Sequence, residues 1–163
     1  MIRLRPYNHA DFEDLYKLDQ KCFDQGIAYS RAELSSYIER KGSFTIVAEV
    51  VPENAAPAPP GSGNPPKHKI AGFVTVTMDP KGFGHIITID THPDMRRKKL
   101  GTTLIEAAEK EVRERGGFMV VLEVAVNNLA AIKFYKLHRY ATLRKLPLYY
   151  NGKTDGLFMS KRL

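Results

Sequence analysis

The stretch HPDMRRKKLGTTLIEAAEK, residues 92 to 110, places four consecutive cationic side chains directly before a predicted helix. Apolar residues follow at helical spacing, and a glycine pair at 116 and 117 is expected to end the helix. The first backbone N–H groups of a helix lack partners and favour an anion. Residues 97 to 102 are therefore predicted to bind phosphate, and a solvated charge run is the alternative interpretation.

The same stretch argues against a nucleotide triphosphatase. No G-K-[ST] sequence follows a glycine after four spacer residues, so this is not a Walker A loop. Gly101 would instead let a ligand approach the main chain closely, and Thr102 and Thr103 add hydroxyl groups.

Composition predicts one domain over residues 1–163, since 163 residues with 43% hydrophobic and 26% charged side chains suit one globular unit. No apolar stretch reaches the roughly 20 residues of a spanning helix, and MIRLRPYNHADF lacks the apolar core of a secretion signal. Cys22 is the only cysteine, which fits a reducing compartment, so we expect a cytoplasmic protein. The net charge of +7 attracts polyanions in general.

The pattern along the chain predicts a mixed fold. MIRLRP is a first strand, and two helices follow, the second opened by a capping box of Ser30 and Glu33. Strands at 43 to 50 and 70 to 78 form a hairpin with a mobile, proline-rich tip at about 52–68. After a strand at 85 to 92 and the helix described above come a strand at 118 to 126, a helix at 129 to 137, and strands near 140 to 148 and 155 to 162.

Two motifs together resemble the GNAT superfamily of acyl-CoA-dependent N-acyltransferases. HPDMRRKKLGTTLIEAAEK is similar to the P-x-x-[RQ]-x-x-G-x-[GA] loop of that family, and LEVAVNNLAAIKFYKLHRYA to its N-x-x-A-x-x-F-Y segment. A glutamate five residues before the asparagine, and the tail LPLYYNGKTDGLFM, are similar to the bacterial ribosomal-protein N-terminal acetyltransferases. The residues in register are Pro93, Arg96, Gly101, Asn128, Ala131, Phe134, Tyr135 and Tyr140.

The resemblance implies an α/β (α+β) fold with a mostly antiparallel sheet of about seven strands, splayed at its centre, and about four helices. It implies acetyl-CoA as co-substrate. Lys99 stands where the family usually has a glycine, and we expect it to keep a negative φ and point outward. The implied cofactor-binding residues are Ile89, Asp90, Thr91, Arg96, Arg97, Lys98, Lys99, Leu100, Gly101, Thr102 and Asn128.

Glu123 is predicted to be the general base. It is the only charged residue in an otherwise apolar strand, where a carboxylate is costly unless it is paired or faces a cavity. The alternative is a glutamate that lies on an edge strand or faces the splay, and that reaches water through the alternation of side chains.

Tyr135 is predicted to be the general acid that supplies a proton to the departing thiolate, because a phenol is protonated at neutral pH. The alternative is core packing, since Tyr135 shares a helical face with Ala131 and Phe134. Asn128 is expected to cap the fourth helix and to meet the cofactor. The five histidines show no ligand spacing, so no metal is expected, and Cys22 reads as a buried apolar residue.

The acceptor is predicted to be a protein N-terminus. At pH 7.5 roughly a third of α-amines but only about 0.1% of lysines are neutral. Tyr29, Tyr149 and Tyr150 are expected to hold the first residue of the acceptor in a peptide groove. A small-molecule amine, a lysine side chain and a non-catalytic acyl-CoA-binding module are the alternatives. Direct binding of nucleic acid is not expected, because the basic run lies at a strand–helix junction and not among aromatics on a sheet face.

Overall fold

The structure, a computed structural model, describes residues 1–54 and 69–163. Most of the predicted proline-rich tip at about 52–68 thus lies outside the described residues. No helix in these two ranges is long and apolar enough to cross a membrane. The strands are β1 (Ile2–Pro6), β2 (Ser43–Val50), β3 (Lys69–Met78), β4 (Phe83–Thr91), β5 (Met119–Ala125), β6 (Ala141–Tyr150) and β7 (Thr154–Arg162), and the α-helices are α1 (Phe12–Cys22), α2 (Arg31–Glu39), α3 (Leu100–Glu114) and α4 (Leu129–Leu137).

Local sequence signals account for the ends of the helices. Ser30 and Glu33 form the predicted capping box at the start of α2. Asn128 caps α4, because its side-chain oxygen accepts from Ala131 N–H at 3.2 Å. Asn8 caps a short 3-10 turn that leads into α1, and does not cap α1 itself. Gly116, with φ of 85°, follows the end of α3 as expected.

The seven strands form one sheet in the order β1-β2-β3-β4-β5-β7-β6. All neighbouring pairs are antiparallel except β4 and β5, which are parallel. The predicted hairpin of β2 and β3 and the mostly antiparallel seven-stranded sheet are confirmed. Helices α1 and α2 pack on one face, around Phe73 and Val47, and α3 packs on the other, around Val74 and Val76. Alternate residues of one strand thereby supply both cores.

The sheet splays where β4 meets β5. These strands pair only over residues 83–85 and 119–121, although both continue for several residues beyond. Directly after the last pair, β4 carries a bulge, since Thr75 faces Thr88 and Val76 faces Ile86, which leaves Ile87 extra. A bulge bends its strand and increases the local twist. It therefore turns the end of β4 away from β5, and a cleft opens between them.

Candidate active site

The cleft between the splayed strands has a volume of about 520 Å³. One side is formed by β4 and the other by β5, and the α1–α2 loop and α4 complete the lining. This volume lies within the roughly 300–1,000 Å³ of small-molecule pockets. The predicted site residues that line it are Tyr29, Ile89, Thr91, Arg96, Glu123, Asn128, Tyr135 and Tyr150.

The β4 side of the cleft presents backbone groups that β3 does not use. The His92 N–H donates to Ala71 O at 2.7 Å, so every second residue of β4 pairs with β3. By this alternation Ile89 and Thr91 turn their backbone N–H and C=O toward the cleft, as the resemblance implies for a pantetheine arm. Asp90 does not line the cleft, because its side chain is buried beside α1 with 1% exposure. The resemblance assigned Ile89, Asp90 and Thr91 to the cofactor together. It did not distinguish the backbone groups that face the cleft from the Asp90 side chain that faces α1.

The basic turn before α3 has an unexpected conformation. Lys99 has φ of 60° and Arg97 has φ of 62°, so the expectation of a negative φ at Lys99 is wrong. The position keeps the left-handed backbone that a glycine would favour, at a strain of roughly 1–2 kcal/mol for a residue with a side chain. Arg96, Arg97, Lys98 and Lys99 are all exposed, so neither their packing nor their burial explains the turn.

The start of α3 is open to an anion. Lys99 is the N-cap and makes no side-chain capping bond, and the first helical bond runs from Thr103 N–H to Lys99 O at 3.0 Å. The N–H groups of Leu100, Gly101 and Thr102 therefore have no partner within the helix. They point out of the helix N-terminus, where the dipole and the neighbouring cations favour negative charge.

Gly101 fits α3 closely against α4. A Cβ at this position would lie 3.2 Å from the ring of Phe134 and 4.0 Å from a methyl carbon of Thr91. One turn further along α4, His138 Nε2 lies 3.1 Å from the hydroxyl of Thr102. These contacts hold the N-terminus of α3 next to the cleft, although the side chain of Leu100 itself is buried in the core.

Glu123 faces the cleft from the middle of the sheet. Its strand, β5, lies between β4 and β7, so the edge-strand form of the alternative is wrong, but Glu123 does face the splay, as the other form of that alternative has it. The side chain is only 17% exposed, and its Oε2 lies 2.6 Å from His85 Nε2. An ionised carboxylate can only accept, so the imidazole N–H is the donor. The contact gives the partly buried carboxylate a hydrogen-bond donor and links it to a partly exposed ring.

Sequence reasoning missed His85. The histidine lies 38 residues before Glu123 and meets it only because β4 and β5 pair in parallel with His85 opposite Val121. Val121 and Glu123 share one face of β5, since side chains alternate along a strand. The sequence assigned both His85 and Glu123 to strands. Their proximity could not be predicted without the register of the parallel pair β4 and β5.

Tyr135 belongs to both the core and the cleft. It is 8% exposed, and its ring packs edge to face against Phe134 and Tyr140 at centroid distances of 5.4 and 5.8 Å. Burial, and secondarily the Asp90 carboxyl, raises the pKa of Tyr135 above the usual value of a phenol. The phenol therefore stays protonated at neutral pH. Because a thiol has a pKa of about 8.5, this tyrosine suits hydrogen-bond donation to a developing thiolate better than complete proton transfer.

The three tyrosines predicted to bind the acceptor lie in or beside the cleft. The Tyr29 hydroxyl donates to Ile87 O at 3.2 Å, and the rings of Tyr149 and Tyr150 meet edge to face at 4.9 Å. Tyr149 is half exposed and lies outside the lining, whereas Tyr150 is part of it. Burial raises the pKa of all three phenols, and the Glu123 charge contributes at Tyr149 and Tyr150. Glu123 thus lies close to the tyrosines predicted to hold the acceptor.

A hydrogen bond joins the α1–α2 loop to the β6–β7 turn. The Asn151 side-chain amide donates to Gly26 O at 2.6 Å. Gly26 has φ of 94°, and a Cβ there would lie 2.0 Å from the Asn151 amide nitrogen, so the contact requires glycine. The bond ties two walls of the cleft together, the α1–α2 loop that carries Tyr29 and the β6–β7 turn that follows Tyr150.

Cys22 lines the cleft as a neutral thiol. It is half-buried, and its Sγ donates to Thr91 O at 3.4 Å. Burial, together with the nearby Asp90, raises the pKa of the thiol to about 11. A thiol that stays protonated is a poor nucleophile. Among residues 1–54 and 69–163, no group of three or more histidine, cysteine, aspartate or glutamate side chains is placed to hold a metal ion.

Solved structures share this architecture. Ard1 from Thermoplasma volcanium superposes with a TM-score of 0.81 at 21% identity, covering 99% of this chain and 97% of that one. The ribosomal-protein-S18-alanine N-acetyltransferase from Escherichia coli superposes with a TM-score of 0.79 at 20% identity, covering 99% of this chain and 94% of that one. At these identities the likeness shows the fold alone.

Curated relatives are similar in sequence. The N-terminal acetyltransferase B complex catalytic subunit NAA20 of Arabidopsis thaliana is 29% identical over 103 residues, which cover 60% of this chain and 59% of that protein. N-alpha-acetyltransferase 30 of Schizosaccharomyces pombe is 25% identical over 160 residues, 96% of this chain and 95% of that protein. The chain spans about half to three fifths of the length of several other relatives. The family model described as "Acetyltransferase (GNAT) family" matches residues 12–138, which is well over half of the chain. The chain therefore belongs to the acetyltransferase (GNAT) family.

Proposed function

We propose that this protein transfers an acetyl group from acetyl-CoA to the N-terminal α-amine of a polypeptide, such as a ribosomal protein. The observation that carries the proposal is the cleft at the splay, because it brings Glu123 and Tyr135 together with the open backbone edge of β4. A module that only binds acyl-CoA would need the β4 edge and the α3 N-terminus but neither of these side chains. We place the reaction in the cytoplasm, since the single cysteine suits a reducing compartment.

Acetyl-CoA fits the residues of the β4 side. The backbone groups that Ile89 and Thr91 turn toward the cleft suit the amides of a pantetheine arm, which can pair with β4 as a further strand would, and Thr91 O also accepts from the Cys22 thiol. The N–H groups at the start of α3 suit the pyrophosphate, and the exposed cations from Arg96 to Lys99 add favourable charge. Asn128 keeps its capping bond to Ala131 N–H and still lines the cleft, so its predicted contact with the cofactor remains compatible with the geometry.

The chemistry requires a neutral amine and a stabilised leaving group. Glu123 accepts a proton from the acceptor ammonium, directly or through water, and His85 holds the Oε2 of the carboxylate and offers a path toward solvent. The amine nitrogen then bonds to the thioester carbon while the C–S bond breaks. Tyr135 donates a hydrogen bond to the sulfur as negative charge develops there, and the second proton of the nitrogen passes through water to that sulfur as the amide forms, so that CoA leaves as the thiol.

Three observations favour an α-amine as the acceptor. An α-amine has a pKa of about 7.7–8.0, so one carboxylate suffices to deprotonate it near pH 7.5, unlike a lysine of pKa about 10.4. The bridge from Asn151 to Gly26 ties the two walls together, which leaves room for a chain end more readily than for an internal segment. The names of the relatives NAA20 and N-alpha-acetyltransferase 30 describe N-terminal acetylation for those proteins.

Mass spectrometry of mixed acceptors tests this proposal. The protein would be incubated with acetyl-CoA and peptides that have a free N-terminus and an internal lysine, the same peptides with a blocked N-terminus, and a small diamine. We expect acetylation at the N-terminal residue of the free peptides only. Acetylation of the blocked peptides or of the diamine at equal rates would overturn the acceptor assignment. Calorimetric binding of acetyl-CoA without transfer to any of these amines would favour the binding module.

A further inference from the structure

Two aspartates meet in the interior between the walls of the cleft. Asp19 on α1 is 0% exposed and Asp90 on β4 is 1% exposed. Asp19 belongs to α1, the helix before the α1–α2 loop that carries Tyr29. Asp90 lies between Ile89 and Thr91, whose backbone groups face the cleft. Buried carboxylates are rare unless they are paired or hydrogen-bonded, so this contact needs a physical explanation.

Hydrogen bonds satisfy one oxygen of each carboxyl. Asp19 Oδ2 accepts from the Tyr29 N–H at 2.8 Å, and Asp90 Oδ1 accepts from the Thr88 hydroxyl at 2.7 Å. The other two oxygens, Asp19 Oδ1 and Asp90 Oδ2, are buried and receive no donor from any residue of the described ranges. The two carboxyls are close enough to hydrogen-bond to each other once one of them is protonated. A single proton between them would satisfy both remaining oxygens.

The electrostatics favour one proton on the pair at neutral pH. Burial raises the pKa of Asp19 to about 6, against the opposing effect of the Tyr29 N–H. Burial and the charge of Asp19 raise the pKa of Asp90 well above its usual range. Two facing carboxylates in a dry interior do not both ionise readily. The other titratable groups that act on the pair are Cys22 and Tyr29 next to α1, Glu33 on α2, Arg96 after β4 and Tyr135 on α4.

We propose that Asp19 is a positioning residue for acetyl transfer. It shares one proton with Asp90 and accepts from the Tyr29 N–H, and it thereby fixes the α1–α2 loop, which carries Tyr29, to strand β4. This inference rests on the proposed function. Tyr29 is held at both ends, by Asp19 at its N–H and by Ile87 O at its hydroxyl. Under the proposed function, the acceptor amine would bind beside the α1–α2 loop and the acetyl carbonyl beside β4, which are the two elements so joined. A displacement of about 1 Å between reacting groups can cost about 10²-fold in rate.

Substitutions at Asp19 test the positioning role. Asp19→Ala removes both bonds, so we expect the peptide KM to rise about tenfold or more while the calorimetric Kd for acetyl-CoA changes less than about twofold. Asp19→Asn can accept from the Tyr29 N–H and donate to Asp90, so it should restore most of the peptide affinity. If Asp19→Ala lowers Tm but leaves KM and kcat unchanged where it is folded, the residue is only structural and the proposal fails.

A double substitution tests the shared proton. Asp19→Asn or Asp90→Asn alone leaves one donor and one acceptor at the contact. With both changes, two NH₂ groups face each other, since the amide oxygens must accept from the Tyr29 N–H and the Thr88 hydroxyl. We expect the double variant to lose much more Tm and peptide affinity than the two single variants combined. Additive effects would overturn the shared proton.

The pH dependence of stability gives a readout that does not need activity. Both folded pKa values exceed the ordinary value of about 3.9, so the folded protein binds more protons than the unfolded chain. This pair therefore adds stability below about pH 4 and loses it as pH rises toward about 6 and beyond. Relative to the unmodified chain, Asp90→Asn should gain Tm as pH rises through this range. A difference in Tm that stays constant with pH would contradict the shared proton, whether or not the protein acetylates a peptide. A protein that shows the expected pH dependence of Tm but acetylates no peptide would contradict the proposed function alone.

Discussion

Replacing Glu123 with glutamine separates proton removal from shape. Glutamine has nearly the volume of glutamate, and its carbonyl oxygen can still accept from His85 Nε2, which lies 2.6 Å from the carboxylate. The variant cannot take a proton at neutral pH. We therefore expect Glu123→Gln to fold and to bind acetyl-CoA as the unmodified chain does, but to lose about threefold in kcat/KM for an N-terminal peptide at pH 7.5 and about 20-fold at pH 6.5, because only amine that is already neutral then reacts.

The pH profile gives the second part of this prediction. With an α-amine pKa of about 7.8, the neutral fraction is about 5% at pH 6.5, about a third at pH 7.5 and above about 90% at pH 9. Without a base, the reaction depends on amine that is already neutral. The rate of Glu123→Gln should therefore rise by about 20-fold from pH 6.5 to pH 9, and the unmodified chain should show a flatter profile.

Release of CoA, followed with a thiol reagent, measures both effects. Glu106→Gln is a matched control, because Glu106 is an exposed glutamate on α3. Peptide turnover by Glu123→Gln within twofold of the unmodified rate at pH 6.5 would refute the assignment of the base. A variant slowed by the same factor at every pH would show that Glu123 positions the amine and does not take its proton.

Three further predictions concern other contacts of the structure. Tyr135→Phe removes only the hydroxyl, so the Kd for acetyl-CoA should stay constant while kcat falls by about 10²-fold, and an unchanged kcat would remove the tyrosine from the mechanism. Gly26→Ala places a Cβ 2.0 Å from the amide that bridges the two walls and keeps φ of 94°, so peptide KM should rise by about tenfold, or about 1.4 kcal/mol, without a change in acetyl-CoA affinity. Lys161→Met leaves Glu109, which is 4% exposed and contacts the ammonium at 2.8 Å, without its counter-charge. This should cost about 3 kcal/mol and lower Tm by roughly 6–12 °C in differential scanning calorimetry, whereas Lys145→Met at an exposed pair should have a much smaller effect.

The sequence predicted those features that neighbouring residues determine. The capping box of α2, the cap of α4 at Asn128 and the hairpin of β2 and β3 depend on side chains within a few positions of each other, or on the β-branched composition of each strand. The splayed sheet was predicted from the resemblance to the family. Its two motifs could be recognised in the sequence because each lies within one strand–helix junction. Glu123 could be recognised by contrast with its apolar neighbours, since an unpaired charge in a buried strand is costly.

Tertiary structure decided which polar groups distant in sequence meet. His85 reaches Glu123 across 38 residues, the Asn151 amide reaches Gly26 across 125, and Asp19 meets Asp90 from another element. Such pairs depend on sheet register and on the angle at which a helix crosses a strand, and local periodicity contains neither quantity. The left-handed backbone at Lys99 also depends on the path between β4 and α3, so the sequence, read by the usual preference of a lysine, predicted the opposite sign of φ.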